Sequence, residues 1–152
     1  MKLNSELVMI ELDSASKEEV LKTLGNQLHE NGYVTEDFVE SILQREKNFP
    51  TGLPTTPFGV AIPHTDADKV IEPQMAFASL KNPVPFQAMG SGGDKVEVSL
   101  VFMLALNKPE DQLQTLQKLT GLFQDEEMVV KLRQIKSTEE FNELMNSVEN
   151  AS

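Results

Sequence analysis

Two imidazoles, His29 and His64, are the strongest neutral-pH nucleophiles or bases this chain can offer, because it contains no cysteine. Thiolate metal sites, cysteine nucleophiles and disulfides are excluded with it. His29 falls between Leu28 and Glu30, late in an amphipathic stretch. An imidazolium near a helix C-terminus is a favourable surface charge there and needs no chemical role. His64 is placed differently. It follows the apolar run Val60-Ala61-Ile62 and then Pro63, whose fixed φ and missing N–H end a strand ladder. A histidine delivered at a strand end, beside a long proline-rich loop, sits where α/β proteins collect their sites. Spacing alone also allows a loop histidine that only hydrogen-bonds its own turn.

Other constellations are weaker. His64-Thr65-Asp66-Ala67-Asp68 has the look of metal-ligand spacing and would serve a metal-dependent hydrolase. A catalytic metal usually takes about three protein ligands with further support behind them, and no second histidine is close in sequence. A polar turn after the strand is the simpler reading. Gly90-Ser91-Gly92-Gly93-Asp94-Lys95 lacks the spacing of a phosphate-binding loop, and Val96 follows the lysine where Ser or Thr is needed. It reads as a glycine-rich turn. No Gly-x-Ser-x-Gly surrounds Ser5, Ser14 or Ser16, which leaves Ser–His–Asp hydrolysis without a nucleophile. The seven scattered methionines are core fillers.

The elements that must position these groups follow from periodicity and punctuation. Residues 7–12 read as a strand. Ser16 and Glu19 form a capping box, and Val20, Leu21, Leu24 and Leu28 give the helix after it a buried stripe that Asn31-Gly32 ends. Thr35 is the expected cap of a second helix, with Phe38, Val39, Ile42 and Leu43 inward. Residues 48–58 hold three prolines and Gly52 and read as a loop, flanked by Phe49 and Phe58, which could rim the histidine. Residues 59–62 and 75–80 read as strands. Residues 96–106 alternate and then become continuously apolar, the pattern of a strand covered on both faces. Asn107 or Lys108, with Pro109, opens a helix whose stripe is Leu113, Leu116, Leu119, Leu122 and Phe123. Asp125 starts another helix, and Ser137 with Glu140 caps a last one, before a short polar tail at 150–152. This mixture predicts an α/β fold: a mixed β-sheet flanked by helices, forming one domain over residues 1–150. Sheet order does not follow from these cues.

Composition narrows the function classes. The 152 residues carry a formal net charge of −11, which disfavours nucleic-acid binding, since that needs a basic patch. A basic protein partner steered by charge fits, though acidity also serves solubility alone. No segment approaches the roughly 18 apolar residues of a membrane span, and the N-terminus has no apolar run of signal-peptide length. A cytoplasmic protein is expected.

Arg45-Glu46-Lys47, followed by Gly59-Val60-Ala61-Ile62-Pro63-His64, resembles the enzyme IIA proteins of the bacterial phosphoenolpyruvate-dependent sugar phosphotransferase system, in the fructose–mannitol superfamily. Members carry a Glu-Arg-Glu-like helix end, here Gln44-Arg45-Glu46, a Thr/Gly loop, here Thr51-Gly52, and a Gly-x-Ala-x-Pro-His strand end. The likeness extends to residues 30–39, to 96–106 and to the leucine-rich helix beyond, and so covers nearly the whole chain. It implies the fructose/mannitol-type fold and a phosphohistidine carrier. His64 would take a phosphoryl group from phospho-HPr and pass it to a cysteine on IIB, serving the membrane component IIC indirectly. Arg45, whose guanidinium fork suits phosphate oxygens, would stabilise the transferring group. No metal or cofactor is implied. Mannitol-type members have a second histidine near the start of the helix after the long strand. Gln112 stands there in this chain, able to hydrogen-bond a phosphate or the ring but not to become cationic. That difference, with the longer 49–52 loop, resembles the galactitol branch. A regulatory, nitrogen-type role is the alternative. Which ring nitrogen reacts is not set by the sequence.

Overall fold

The computed structural model describes residues 3–90 and 93–150. Ser91 and Gly92 of the glycine-rich turn, and Ala151 and Ser152 of the tail, lie outside them.

Among the described residues, ten strands and α-helices follow one another: β1 (Val8–Leu12), α1 (Lys17–Glu30), α2 (Phe38–Asn48), β2 (Gly52–Leu53), β3 (Gly59–Ala61), β4 (Gln74–Gln87), β5 (Lys95–Ala105), α3 (Pro109–Phe123), α4 (Glu126–Gln134) and α5 (Thr138–Asn150). The strands form one mixed sheet in the order β1-β4-β5-β3-β2. β4 and β5 are the long antiparallel centre; β1 joins β4 and β3 joins β5 in parallel, and β2 closes the far edge antiparallel to β3. The expected α/β class, a mixed sheet flanked by helices, is the one observed.

Local chemistry explains most boundaries. Ser16 Oγ accepts from Glu19 N–H, while the Glu19 carboxylate accepts from Ala15 N–H, so the box reaches one residue further back than its usual form. α1 ends in a Schellman arrangement: Gly32 N–H donates to His29 O, Tyr33 N–H donates to Leu28 O, and Gly32 takes φ 82°. Asp125 and Ser137 cap α4 and α5 through their side chains.

Four expectations are corrected. Thr35 does not cap α2 with its side chain; its carbonyl closes a turn onto Phe38 N–H and its hydroxyl turns to Asp37, which occupies the cap position. The proline-rich loop contains the two-residue β2, paired with β3. β4 runs on to Gln87 through Pro83 and Pro85. Its register with β5 slips between Ser79 and Val84, which leaves Pro83 outside the paired residues, while Pro85 lies opposite Glu97 on the stretch beyond Leu80, where β1 no longer pairs. Leu113 is 58% exposed and is not part of the buried stripe of α3, which begins further along the helix.

The core lies on both faces of the β4–β5 pair. Phe77 and Phe102 are cross-strand partners whose rings meet edge-on at 4.9 Å. Phe141 of α5 and Phe123 of α3 stack onto them at 4.6 and 5.3 Å. Ala76, Ala78, Val101 and Met103 point the other way and are equally buried, so the centre of the sheet is covered on both sides.

Two features place the segment before the histidine. Gly59 lies so close to β5 that a Cβ there would stand 2.4 Å from Glu97 O and 2.6 Å from Val96 Cγ1. Glu46, in the last turn of α2, points inward and is 2% exposed. Its carboxylate accepts from Thr51 N–H at 2.8 Å and from Thr51 Oγ1 at 2.7 Å. Burial pushes its pKa above the ordinary carboxylate value, against the lowering effect of the Thr51 bonds and of Lys17.

Gly59→Ala should lower stability by about 1–3 kcal/mol, because backbone rather than a side-chain tip blocks the added methyl; thermal unfolding measures it. Glu46 gives a pH signature. A carboxyl whose folded pKa exceeds its unfolded value stabilises the fold below the unfolded value and loses that contribution as pH rises through the folded one. The unfolding free energy of the wild type should therefore fall relative to that of Glu46→Gln as pH rises above the ordinary carboxylate value of 4.5 and through the raised folded one. Parallel curves in chemical denaturation would contradict this.

Candidate functional site

The chain beyond β3 keeps following β5. Leu104 N–H donates to Pro63 O at 2.9 Å, and His64 bridges to Leu104. His64 therefore sits at the C-terminal end of a parallel strand, fixed at the backbone and half-buried. Its Nδ1 lies 2.9 Å from Ile62 O. A carbonyl only accepts, so Nδ1 carries the proton and, in the neutral ring, Nε2 keeps its lone pair.

Arg45 reaches the same place from α2. Its guanidinium carbon lies 4.6 Å from the centroid of the Phe49 ring, and Nη1 lies 3.4 Å from Asp66 Oδ1. Its Nε is buried with no acceptor among the described residues. The two segments are tied together one helical turn earlier, where Ser41 Oγ and Thr65 Oγ1 are 2.6 Å apart. Residues 41 and 45 share a face of α2. The hydrogen bond at Thr65 therefore sets where Arg45 stands relative to His64.

His64 and Arg45 line one cleft of about 530 Å³, with Lys47, Phe49, Thr51, Gln87, Met89, Gly90 and Gly93. Two cations and no carboxylate line it among the described residues, although the chain as a whole is strongly acidic. Phe49 and Met89 are 61% and 45% exposed at its rim. Phe58, the other aromatic flanking the loop, instead packs against the core.

The structure thus brings His64 and Arg45 together, while Gln112, early in α3 and half-buried, is not among the residues lining the cleft. The metal-ligand reading of His64, Asp66 and Asp68 fails on orientation. Asp66 turns to Arg45 and Asp68 to Lys69, and no three histidine or acidic side chains converge among the described residues. Lys69 also pairs with Asp37 at 2.7 Å, which holds the Asp37 carboxyl below its usual range and raises the Lys69 ammonium. That exposed contact fastens the turn after His64 to the start of α2. His29 is exposed in the last turn of α1, remote in role from the cleft. Sequence reasoning gave no weight to Ser41, Thr65 or Gln87, and it read Met89 as a core filler, whereas it is exposed at the rim of the cleft. Each is an ordinary residue whose role arises from contacts across the fold.

The arrangement can present an unprotonated imidazole nitrogen to a dianionic group and hold that group's oxygens with guanidinium and ammonium charge. Residues 1–148 match the family model described as phosphoenolpyruvate-dependent sugar phosphotransferase system, EIIA 2. The galactitol-specific EIIA component of Escherichia coli K12 is 32% identical over 123 residues, 81% of each chain. The Escherichia coli mannitol IIA, solved in complex with phosphorylated mannitol IIB, superposes with a TM-score of 0.80 at 29% identity, covering 96% of this chain and 98% of that one. The nitrogen regulatory protein IIA-Ntr of Neisseria meningitidis gives 0.76 at 28%, covering 93% and 94%. The chain belongs to the EIIA 2 family of the phosphoenolpyruvate-dependent sugar phosphotransferase system and is a phosphotransferase component of that system.

Proposed function

We propose that this protein is a cytoplasmic phosphocarrier in which His64 Nε2 takes a phosphoryl group from phospho-HPr and gives it to the cysteine of a IIB protein or domain. The observation that supports this most is the bond between His64 Nδ1 and Ile62 O, in a cleft lined by Arg45 and Lys47. In the first step the Nε2 lone pair forms a bond to phosphorus while the donor's N–P bond breaks and its electron pair returns to the donor imidazole. In the second, a IIB thiolate attacks phosphorus, the Nε2–P bond breaks and the pair returns to His64. No proton need leave His64 in either direction, because Nδ1–H stays on Ile62 O throughout.

Charge builds on the peripheral phosphoryl oxygens in both steps. Arg45 meets it with a fork already oriented by Phe49 and with an Nε that has no acceptor among the described residues. Asp66 holds Arg45 loosely, at 3.4 Å and largely in solvent, so an arriving phosphoryl group can displace it at little cost. Gln112 is a further candidate for a phosphate or ring hydrogen bond, with its place in α3 as the only support. The exposed Phe49 and Met89 give HPr and IIB a common shallow apolar rim, as one face must serve both partners in turn.

The substrate system is a sugar or polyol one. The likeness to the galactitol-specific component and the glutamine at position 112 favour a galactitol-like polyol, delivered through a membrane IIC partner. The likeness to the nitrogen regulatory protein supports a second reading, in which phosphorylated His64 governs binding to other proteins. Passage of the phosphoryl group to a IIB cysteine separates the two.

Incubation with enzyme I, HPr and phosphoenolpyruvate should add one phosphoryl mass to the intact protein, and His64→Ala should abolish it; normal labelling of the alanine variant would sink the proposal. Arg45→Ala should slow single-turnover transfer from phospho-HPr by about 10²-fold, with Arg45→Lys intermediate because an ammonium lacks the fork. Quench-flow with radiolabelled donor reads both.

A further inference from the structure

We propose that Glu46 is a positioning residue for this transfer, acting on the His64 ring through Thr51 and Ile62. The proposal rests on His64 being the phosphoryl acceptor. Three links carry it. The two Glu46 oxygens grip Thr51 from both sides, at 2.8 Å to its N–H and 2.7 Å to its hydroxyl. Thr51 O accepts from Ile62 N–H at 3.3 Å, one residue past the end of β3. Ile62 O accepts from His64 Nδ1–H at 2.9 Å.

A carboxylate that is 2% exposed is a costly way to fill space. An apolar side chain would pack there more favourably but could not orient a loop residue. The two fixed oxygens supply that orientation, holding the Thr51 carbonyl toward Ile62. The linkage is positional rather than electronic. The N–H and C=O of Thr51 belong to different peptide planes, as do those of Ile62, so no single resonance unit passes polarisation along it.

The end of α2 therefore acts on the cleft twice. Arg45 enters it directly, while Glu46, the next residue, turns inward and fixes the acceptor's tautomer. With the Ile62 carbonyl displaced, Nδ1–H loses its partner and the neutral ring can carry its proton on Nε2 instead. That tautomer has no lone pair at the reacting nitrogen. Glu46 thus sets the fraction of His64 that is competent to accept a phosphoryl group.

The test is long-range ¹⁵N NMR of the His64 ring at neutral pH in the full chain, alongside single-turnover transfer from phospho-HPr. Wild type and Thr51→Ser, which retains both bonds to Glu46, should hold the proton on Nδ1. Glu46→Leu and Thr51→Val should show a substantial Nε2–H population and a rate lower by about 10- to 100-fold, with the phospho-HPr concentration for half-maximal rate unchanged. Amide spectra establish which variants are folded, and Thr51→Val carries the test if Glu46→Leu is not. An unchanged tautomer in a folded variant overturns the proposal, as does a rate loss no larger than the unfolded fraction. Failure of wild-type His64 to accept phosphoryl would defeat the carrier reading instead, and the tautomer measurement would still report on Glu46.

Discussion

The bond from His64 Nδ1 to the Ile62 carbonyl constrains everything else in the cleft. Imidazole has two nitrogens of similar basicity, and the carrier role proposed for His64 would use one of them reproducibly for two different partners. A backbone carbonyl two residues upstream settles the choice without adding a charge or a second titrating side chain. It works only if the carbonyl is itself immobile. Ile62 is held at its N–H by Thr51 O, and Pro63 by the Leu104 N–H. The histidine is mounted on the end of the sheet, and the sheet's double-sided core makes that mount stiff.

Around this fixed point the electrostatics run against the protein's average. An acidic chain presents a cleft with Arg45 and Lys47 and no lining carboxylate among the described residues. In the proposed transfer, the cation that meets a transient dianion should be neither free to wander nor firmly neutralised. Arg45 is restrained by stacking on Phe49 and by a long, solvated contact to Asp66, both cheap to rearrange. The firm restraints act through neutral or inward-turned partners, at Ser41–Thr65 and Glu46–Thr51, which hold the backbone around the cleft in place.

Much of the secondary structure was legible because its signals are local. Capping boxes at Ser16 and Ser137, the Asn31-Gly32 stop, and the doubly apolar run of β5 each depend on neighbours within a few residues. The misreadings share one cause. Thr35, β2, the proline-bearing half of β4 and the exposed Leu113 were all decided by which partner strand or helix lay alongside, and in β4 by where partners were missing.

The sequence alone determined the α/β class, the exclusion of thiol chemistry, and His64 as the strand-end group to watch, since those follow from residue type and short-range spacing. The motif around Arg45 added the family. Tertiary structure alone decided the sheet order, the pairing of Arg45 with His64 in one cleft, the separation of Gln112 from that cleft's lining, and the contact between His64 Nδ1 and the Ile62 carbonyl. These depend on contacts between residues far apart in the chain, such as 41 with 65 and 51 with 62. No local propensity encodes them, because they form only when the whole core packs.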